Sequence, residues 1–259
     1  MKYWRPVATL WWREVIRFVR QRSRLIGSLA QPLVFWMLLG GGMNASFRPA
    51  SGAGGTGYME YFYPGVIVMV LLFTAIFATI SVVEDRRAGF LQGVLVAPVS
   101  RGQIVLGQAL GGTSLALVQG TMFLALAPFA GITLGLCAIV SSVVIMFLLS
   151  FALTSLGLVI AWRMESTQGF HAIMNLLLMP IWFLSGAVFP IGGVPRPLAW
   201  VMRLNPLTYG MAALRRAVYS ENLVAVSALP SMGTSLAVTV CFATLMFLGA
   251  TYVARRTAA

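Results

Sequence analysis

Charge is what this chain has least of. Only 9% of its residues are Asp, Glu, Lys or Arg, against roughly 25% in a soluble domain. Six residues are acidic, and of the eighteen basic ones only Lys2 is a lysine. Each scarcity closes off a class of function. A phosphate-cradling GxxxxGK[ST] loop needs a lysine directly after glycine to reach the β- and γ-phosphates. Lys2 follows Met1, so the chain holds no such loop and any use of ATP falls to a partner. The two cysteines, Cys137 and Cys241, lie in apolar stretches and read as small hydrophobes, with neither disulfide nor metal-ligand spacing. His171 is the only histidine and reads as a structural residue rather than a ligand. No constellation of an enzyme or of a metal centre is visible. The six carboxylates lie at the ends of apolar stretches or in loops. A proton-coupled carrier places ionisable groups inside its bundle, so secondary transport is disfavoured. An apolar or amphipathic cargo is favoured, because few polar groups are available to bind sugars or ions.

What is present is mostly hydrocarbon: 59% of the chain is hydrophobic, with a mean hydropathy of +0.88. A bilayer span needs about 20 mostly apolar residues, and this composition places the chain in a membrane. The formal charge of +12 does not point to nucleic acid, because most basic residues sit at the ends of apolar runs, as membrane insertion requires. Residues 1–24 are too charged for a cleaved signal peptide and lack its h-region.

Hydropathy sets out a single transmembrane domain over 1–259, an all-α membrane protein with six transmembrane helices. Residues 3–24 read as an interfacial amphipathic helix, with Trp4, Val7, Trp11, Val15 and Phe18 on one face and Arg13, Arg17, Arg20 and Arg24 on the other. Spans follow at about 25–43, 60–83, 103–127, 132–161, 169–189 and 231–254. Gly107 and Gly111 in the third allow close helix approach. A cytoplasmic N-terminus puts thirteen of the eighteen basic residues inside, so the positive-inside bias favours a multi-pass inner-membrane protein with both termini cytoplasmic. Tyr58, Tyr61, Phe62 and Tyr63 read as an interfacial belt, and Arg215 and Arg216 as snorkelling to outer headgroups or, less simply, lining an exit.

Two segments break the hydrocarbon. The first, 84–102, holds Glu84, Asp85, Arg86 and Arg87, then Gly89 and an apolar stripe of Phe90, Leu91, Val94 and Leu95, stopped by Pro98. Ser100 and Gln103 have capping-box spacing for the next helix. The residues alone fit a helix resting on the membrane surface and a helix docked on a cytosolic partner equally well. Glu84 and Asp85 also have N-terminal arginines, Arg17 and Arg20, to pair with. The second segment, 190–230, lies on the outer side yet is not polar. Asn205 is a helix N-cap and Pro206 a first helical residue, which gives short re-entrant helices partly sunk in the outer leaflet.

The hairpin resembles the intracellular segment of the type-2 permease family of ATP-binding-cassette exporters. The stretch from Leu184 through Gly186 to Pro190, followed by Asn205, Pro206 and Tyr209, resembles that family's outer motif. The likeness is greatest to the half-size permeases of the daunorubicin-resistance and nodulation type, although Gln92 stands where many members carry an acidic residue. The resemblance implies a permease subunit without an ATPase site. It would pair with a second permease copy or homologue and with two cytosolic ABC ATPase subunits that bind ATP and Mg, while contacting membrane lipids and no nucleic acid. Arg87 to Leu95 would be the coupling helix, with Phe90, Leu91, Val94 and Leu95 as its contact face. The cargo would be a hydrophobic drug, lipid or lipid-linked molecule. Polysaccharide or lipo-oligosaccharide export, and a secondary carrier independent of ATP, stand as alternatives.

Overall fold

A computed structural model describes residues 4–20, 22–43, 57–219 and 229–256, without the side chains of 22–29 and Leu95. Most of the loop read at 44–59, the stretch 220–228 of the outer segment and the ring position of Arg24 therefore lie outside the described residues. Every regular element among the described residues is helical.

Helix α3 (Tyr58–Ala78) is the axis of the fold. Its sequence is apolar all round, and such a helix is stable when it is covered on every side. Accordingly Phe62, Tyr63 and the run from Val66 to Leu72 are buried. Around it pack α2 (Arg22–Met43), α6 (Arg101–Leu124), α7 (Leu136–Ala161), α8 (Thr167–Phe183) and α10 (Pro206–Val218). The last described helix, α11 (Met232–Arg256), lies on α7 and α10. Its inward stripe is small, with Ser235, Thr239, Ala243, Ala250 and Ala254 buried while Val240, Leu245 and Leu248 point out. Close backbone approach through small residues is how helices associate where no hydrophobic effect drives them together.

Three helical stretches among the described residues are long and apolar enough to cross a membrane: Tyr58–Arg87, Leu136–Ala161 and Met232–Arg256. They coincide with the spans read at 60–83, 132–161 and 231–254. The other three expected spans fall on α2, α6 and α8. In α2 the apolar part is the shorter stretch Ala30–Met43; α8 has 17 residues; and α6 carries Gln103, Gln108 and Gln119 along its 24 residues.

Boundaries differ from the sequence reading by up to six residues, and two of the differences bear on the site. The second span is not one regular helix, because Thr79 donates its hydroxyl back to Ile76 O at 2.7 Å and interrupts the ladder before α4 (Ile80–Arg87). The fifth stops at Phe183 rather than 189. After it the chain runs irregularly to Pro190, with Gly186 in the left-handed region at φ +82°, a conformation open to glycine without a side-chain penalty.

Helix α1 (Trp4–Arg20) lies along α6. Gly107 and Gly111 make this possible: a Cβ on Gly107 would stand 2.8 Å from Leu10 Cβ, and one on Gly111 2.7 Å from Glu14 Cβ. The docked face keeps most of the one read from the helical wheel, with Trp11 donating to Ser114 Oγ of α6 at 2.9 Å. Val7, Glu14 and Phe18 are buried, whereas Trp4 and Trp12 are exposed. Glu14 joins Val7 and Phe18 on that face, beside partners for its carboxylate, and Val15 at its edge is half-buried.

Candidate functional site

The hairpin between α4 and α6, expected on the cytoplasmic side, is termed the inner junction, and the turn after α8, expected on the opposite side, the outer junction. Helix α4 ends at Arg87, Ala88 and Gly89 turn the chain, and α5 covers Phe90–Val96. Gly89 sits at φ +73°. The coupling helix read as Arg87–Leu95 therefore starts three residues later, and Arg87 belongs to the preceding helix. Ala97 is extended ahead of Pro98, as a residue before proline prefers. The expected capping box then opens α6: Ser100 Oγ accepts from Gln103 N at 3.3 Å, and Gln103 Oε1 accepts from Ser100 N at 2.9 Å.

The four consecutive charges face two ways. Asp85, 4% exposed, accepts two bonds from Arg13, at 2.6 and 2.7 Å, and one from Arg17 at 3.0 Å. The second Arg17 nitrogen donates to Glu84. Of the two N-terminal partners expected, Arg17 is engaged; Arg20 makes no ion pair among the described residues. Arg86 points away from α1. It donates to Trp162 O at 2.6 Å and Met164 O at 3.0 Å, and Arg87 Nε donates to Glu165 O at 3.0 Å. These carbonyls lie at the end of α7 and in the turn to α8, where a cation satisfies orphan acceptors and the helix dipole together. One hairpin thus ties α1 on one side and the α7–α8 turn on the other.

Glu14 completes the inner cluster, with Arg13 Nη1 3.1 Å from its Oε1. Burial pushes its carboxyl up from the ordinary range, against a bond from Ser81 and the attraction of Arg13. The hydrogen bond to Asp85 pushes the Arg13 guanidinium up. Sequence reasoning missed Glu14 and Ser81. The available signal was a lone carboxylate at heptad spacing from Val7 and one turn before Phe18.

The apolar stripe of α5 does not face one way. Leu91 is 3% exposed and Val94 packs partly against the core. Leu91 is thus turned into the protein and anchors α5, which removes it from the expected contact face. Phe90 lies under the Arg13 guanidinium, 4.1 Å from the ring centroid, yet remains 44% exposed. The Leu95 side chain lies outside the described residues. Gln92, Gly93, Val96 and Pro98 stand outward, Val96 being 87% exposed.

The outer junction is built on carbonyls. Where α8 ends, backbone oxygens lose their ladder partners, and side chains take them up one by one. Asn205 Nδ2 donates to Ile181 O at 2.7 Å, Thr208 Oγ1 to Leu184 O at 3.2 Å, and the Tyr58 hydroxyl to Val188 O at 3.2 Å. Gly186 O accepts from the Tyr61 hydroxyl and from Arg215 Nη2, each at 3.2 Å. Asn205 Oδ1 meanwhile accepts from Leu207 N at 3.0 Å, capping α10 with Pro206 in its first turn. Pro190 O accepts from Gly193 N at 3.1 Å in the 3-10 turn Ile191–Gly193, and Tyr209 donates to Arg203 O at 3.0 Å. Pro64 has no N–H for Glu60 O; the Tyr219 hydroxyl donates to that oxygen instead.

Arg215 holds this junction together. It is 3% exposed and donates to the Tyr61 hydroxyl at 3.2 Å and to Tyr61 O at 3.3 Å. Its guanidinium also stacks 4.1 Å from the Tyr61 ring centroid. It makes no ion pair among the described residues. The sequence reading of Arg215 as snorkelling is corrected: its head lies inside the protein, held by Tyr61 on α3 and by Gly186 O just past the end of α8. Arg216 donates to Leu229 O at 2.9 Å and Pro230 O at 2.8 Å, which also keeps it from headgroups. The aromatic belt is likewise corrected. Tyr58, Tyr61, Phe62 and Tyr63 are all buried, three of them as hydroxyl donors to this backbone and to Phe123 O.

Weaker candidates stay separate from both junctions. His171 is exposed beside the Phe77 ring at 5.3 Å, and Cys137 and Cys241 are exposed on α7 and α11. No group of three or more His, Cys, Asp or Glu able to hold a metal occurs among the described residues.

Comparison with known proteins covers both junctions. The family model described as ABC-2 type transporter matches residues 5–219. The transport permease ycf38 of Cyanophora paradoxa is 30% identical over 207 residues, which is 78% of this chain and 70% of that protein. Nodulation protein J of Rhizobium meliloti (strain 1021) is 26% identical over 238 residues, 90% of this chain and 86% of that protein. The ycf38 permease of Porphyra purpurea is 27% identical over 204 residues, 78% of this chain and 69% of that protein.

Proposed function

The chain belongs to the ABC-2 type transporter family, and on that premise we propose that it is the membrane-spanning permease subunit of an ATP-driven exporter. Helices α2, α6 and α8 join the three strongly apolar spans to give six crossings, with α1 at the cytoplasmic interface and both termini inside. The partner is a cytosolic ABC ATPase in two copies, which binds ATP and Mg. A second permease, identical or homologous, completes the membrane part in the inner membrane. The cargo is a hydrophobic drug, lipid or lipid-linked molecule.

The observation that carries this reading is the double tie of the hairpin. Helix α5 offers Phe90, Gln92, Gly93 and Val96 to the outside, while Asp85 and Glu84 hold α1 and Arg86 and Arg87 hold the α7–α8 turn. A force on α5 therefore reaches α1, α3, α6, α7 and α8 together. A ligand shifts a conformational equilibrium only through unequal affinity for its states. Closure of the ATPase dimer on ATP supplies that inequality, and the hairpin is where it enters. Gly89 and Pro98 fix the two ends of the lever. Gly186, Pro190, Asn205, Pro206 and Tyr209 shape the outer end of the pathway.

The test is co-purification of the full chain with the co-expressed ATPase. Phe90→Asp with Val96→Asp is expected to abolish retention of the ATPase while the thermal midpoint of the permease stays unchanged. Retention by the double variant contradicts the docking site. Transport driven by a proton gradient without any ATPase contradicts the exporter reading and favours a secondary carrier. Within the family, stimulation of ATP hydrolysis by a polysaccharide or lipo-oligosaccharide rather than by an apolar drug or lipid selects the alternative cargo.

A further inference from the structure

Helix α9 (Arg196–Leu204) is held at its C-terminal end, where Thr208 Oγ1 donates to Met202 O at 2.6 Å and Tyr209 to Arg203 O at 3.0 Å. Of its nine residues only Met202 is buried. On a helical wheel Pro197, Trp200, Val201 and Leu204 form one continuous arc on the side away from Met202. That arc is open: Trp200 is 65% exposed and Leu204 79%. Arg196 and Arg203, seven residues apart, are exposed together along the Trp200 edge of the arc. An apolar stripe with tryptophan, bordered by arginines and turned outward from a membrane protein, fits the plane between hydrocarbon and headgroups.

Charge decides what covers it. The chain has six acidic residues, and on the reading that 190–230 lies at the outer face, only Glu60 and Glu221 share that side. A second copy seated face to face on this arc would bring its own Arg196 and Arg203 against the first pair and supply no row of carboxylates to meet them. A lipid supplies both halves of the match, acyl chain for the arc and phosphate for the guanidinium pair. We infer that α9 is a lipid-binding helix of the outer leaflet, with Trp200, Val201 and Leu204 in the hydrocarbon boundary and Arg196 and Arg203 on anionic phospholipid headgroups. It deepens the placement of 190–230 in the proposed function and rests on it.

The test uses the full chain with Cys137→Ser and Cys241→Ser, spin-labelled at Leu204→Cys. It is reconstituted in vesicles of phosphatidylcholine alone or mixed with phosphatidylglycerol. The label is expected to be accessible to oxygen and shielded from an aqueous nickel chelate. Protein purified from the mixed vesicles is expected to retain phosphatidylglycerol over phosphatidylcholine. Arg196→Gln with Arg203→Gln is expected to lower that preference about thirty-fold, as for two basic residues at an anionic surface. Arg196→Lys with Arg203→Lys is expected to keep most of it. A water-exposed label, ready disulfide formation between Leu204→Cys of two copies, or an unchanged lipid preference in the Gln variant overturns the inference. The depth reading needs no arginine change, so a poorly folding Gln variant leaves it standing as a test. None of these readouts uses an ATPase, so failure of the exporter reading leaves them unmoved, and their failure leaves ATPase retention unmoved.

Discussion

The two junctions of this molecule both depend on arginine, and they use it in opposite ways. At the inner junction Arg13 and Arg17 meet carboxylates on Asp85 and Glu84, and the arginine side chains are 31% and 28% exposed. At the outer junction Arg215 is buried among backbone oxygens and a tyrosine ring, with no ion pair among the described residues. Partly solvated ion pairs are screened by salt and can be remade in a new geometry at small cost. A buried cation bound to fixed carbonyls cannot shift without leaving several groups unsatisfied. Salt is therefore expected to loosen the inner junction more than the outer one.

Four substitutions separate these roles, in falling order of expected effect. Arg215→Met removes the donor shared by the Tyr61 hydroxyl, Tyr61 O and Gly186 O. It should cost about 3 kcal/mol of stability, independent of salt, as read from reversible unfolding in detergent at low and high ionic strength. A loss that shrinks with salt would make the outer junction resemble the inner one. Asp85→Ala removes the carboxylate that the two arginines share, leaving Arg13 with Glu14 and Arg17 with Glu84. It should cost about 2 kcal/mol, less than the 3–5 kcal/mol of a fully buried pair, because the arginines stay partly solvated. The exchange of Arg13→Asp with Asp85→Arg should recover part of it in a double-mutant cycle.

Gly111→Val places atoms where Glu14 Cβ now lies, 2.7 Å from the position of a Cβ. Overpacking of this kind costs about 1–2 kcal/mol, and it should appear as faster amide exchange confined to α1 and the hairpin. The smallest effect is expected from Glu14→Gln. Burial raises the Glu14 carboxyl above its ordinary value, so its contribution to docking is complete below the ordinary carboxylate range. That contribution is lost as pH rises through the raised value. The glutamine stays neutral at every pH. At neutral pH it should leave α1 at least as protected from exchange as glutamate does, and it should flatten the pH profile. Looser α1 docking in the Gln variant would mean that the ion pair with Arg13 outweighs burial.

Much of this was legible in the sequence, and the exceptions have physical causes. The capping box at Ser100, the cap at Asn205 and the Arg17 pairing to the hairpin acidic residues all follow from residue types at short fixed spacing. The fate of Arg215 did not, because its acceptors lie on Tyr61, 154 residues before it in the chain, and on Gly186 past the end of α8, and nothing local announces that the fold brings them together. The tyrosines at 58, 61 and 63 were misread for the same reason. An aromatic near a span end satisfies a headgroup or a broken helix equally well in one dimension. The burial of Glu14 on the apolar face of α1 was not legible, because its partner Ser81 lies in an element far along the chain. Gly107 and Gly111 showed a close approach without showing which helix would make it.

The central claim is that force enters at the inner hairpin and not at the outer turn. A photo-crosslinking residue placed at Val96, and separately at Leu204, tests it in membranes containing the ATPase. An ATPase adduct is expected from position 96, with a yield that changes when ATP is bound, and none from position 204. No adduct from position 96 in membranes where transport is active would contradict it.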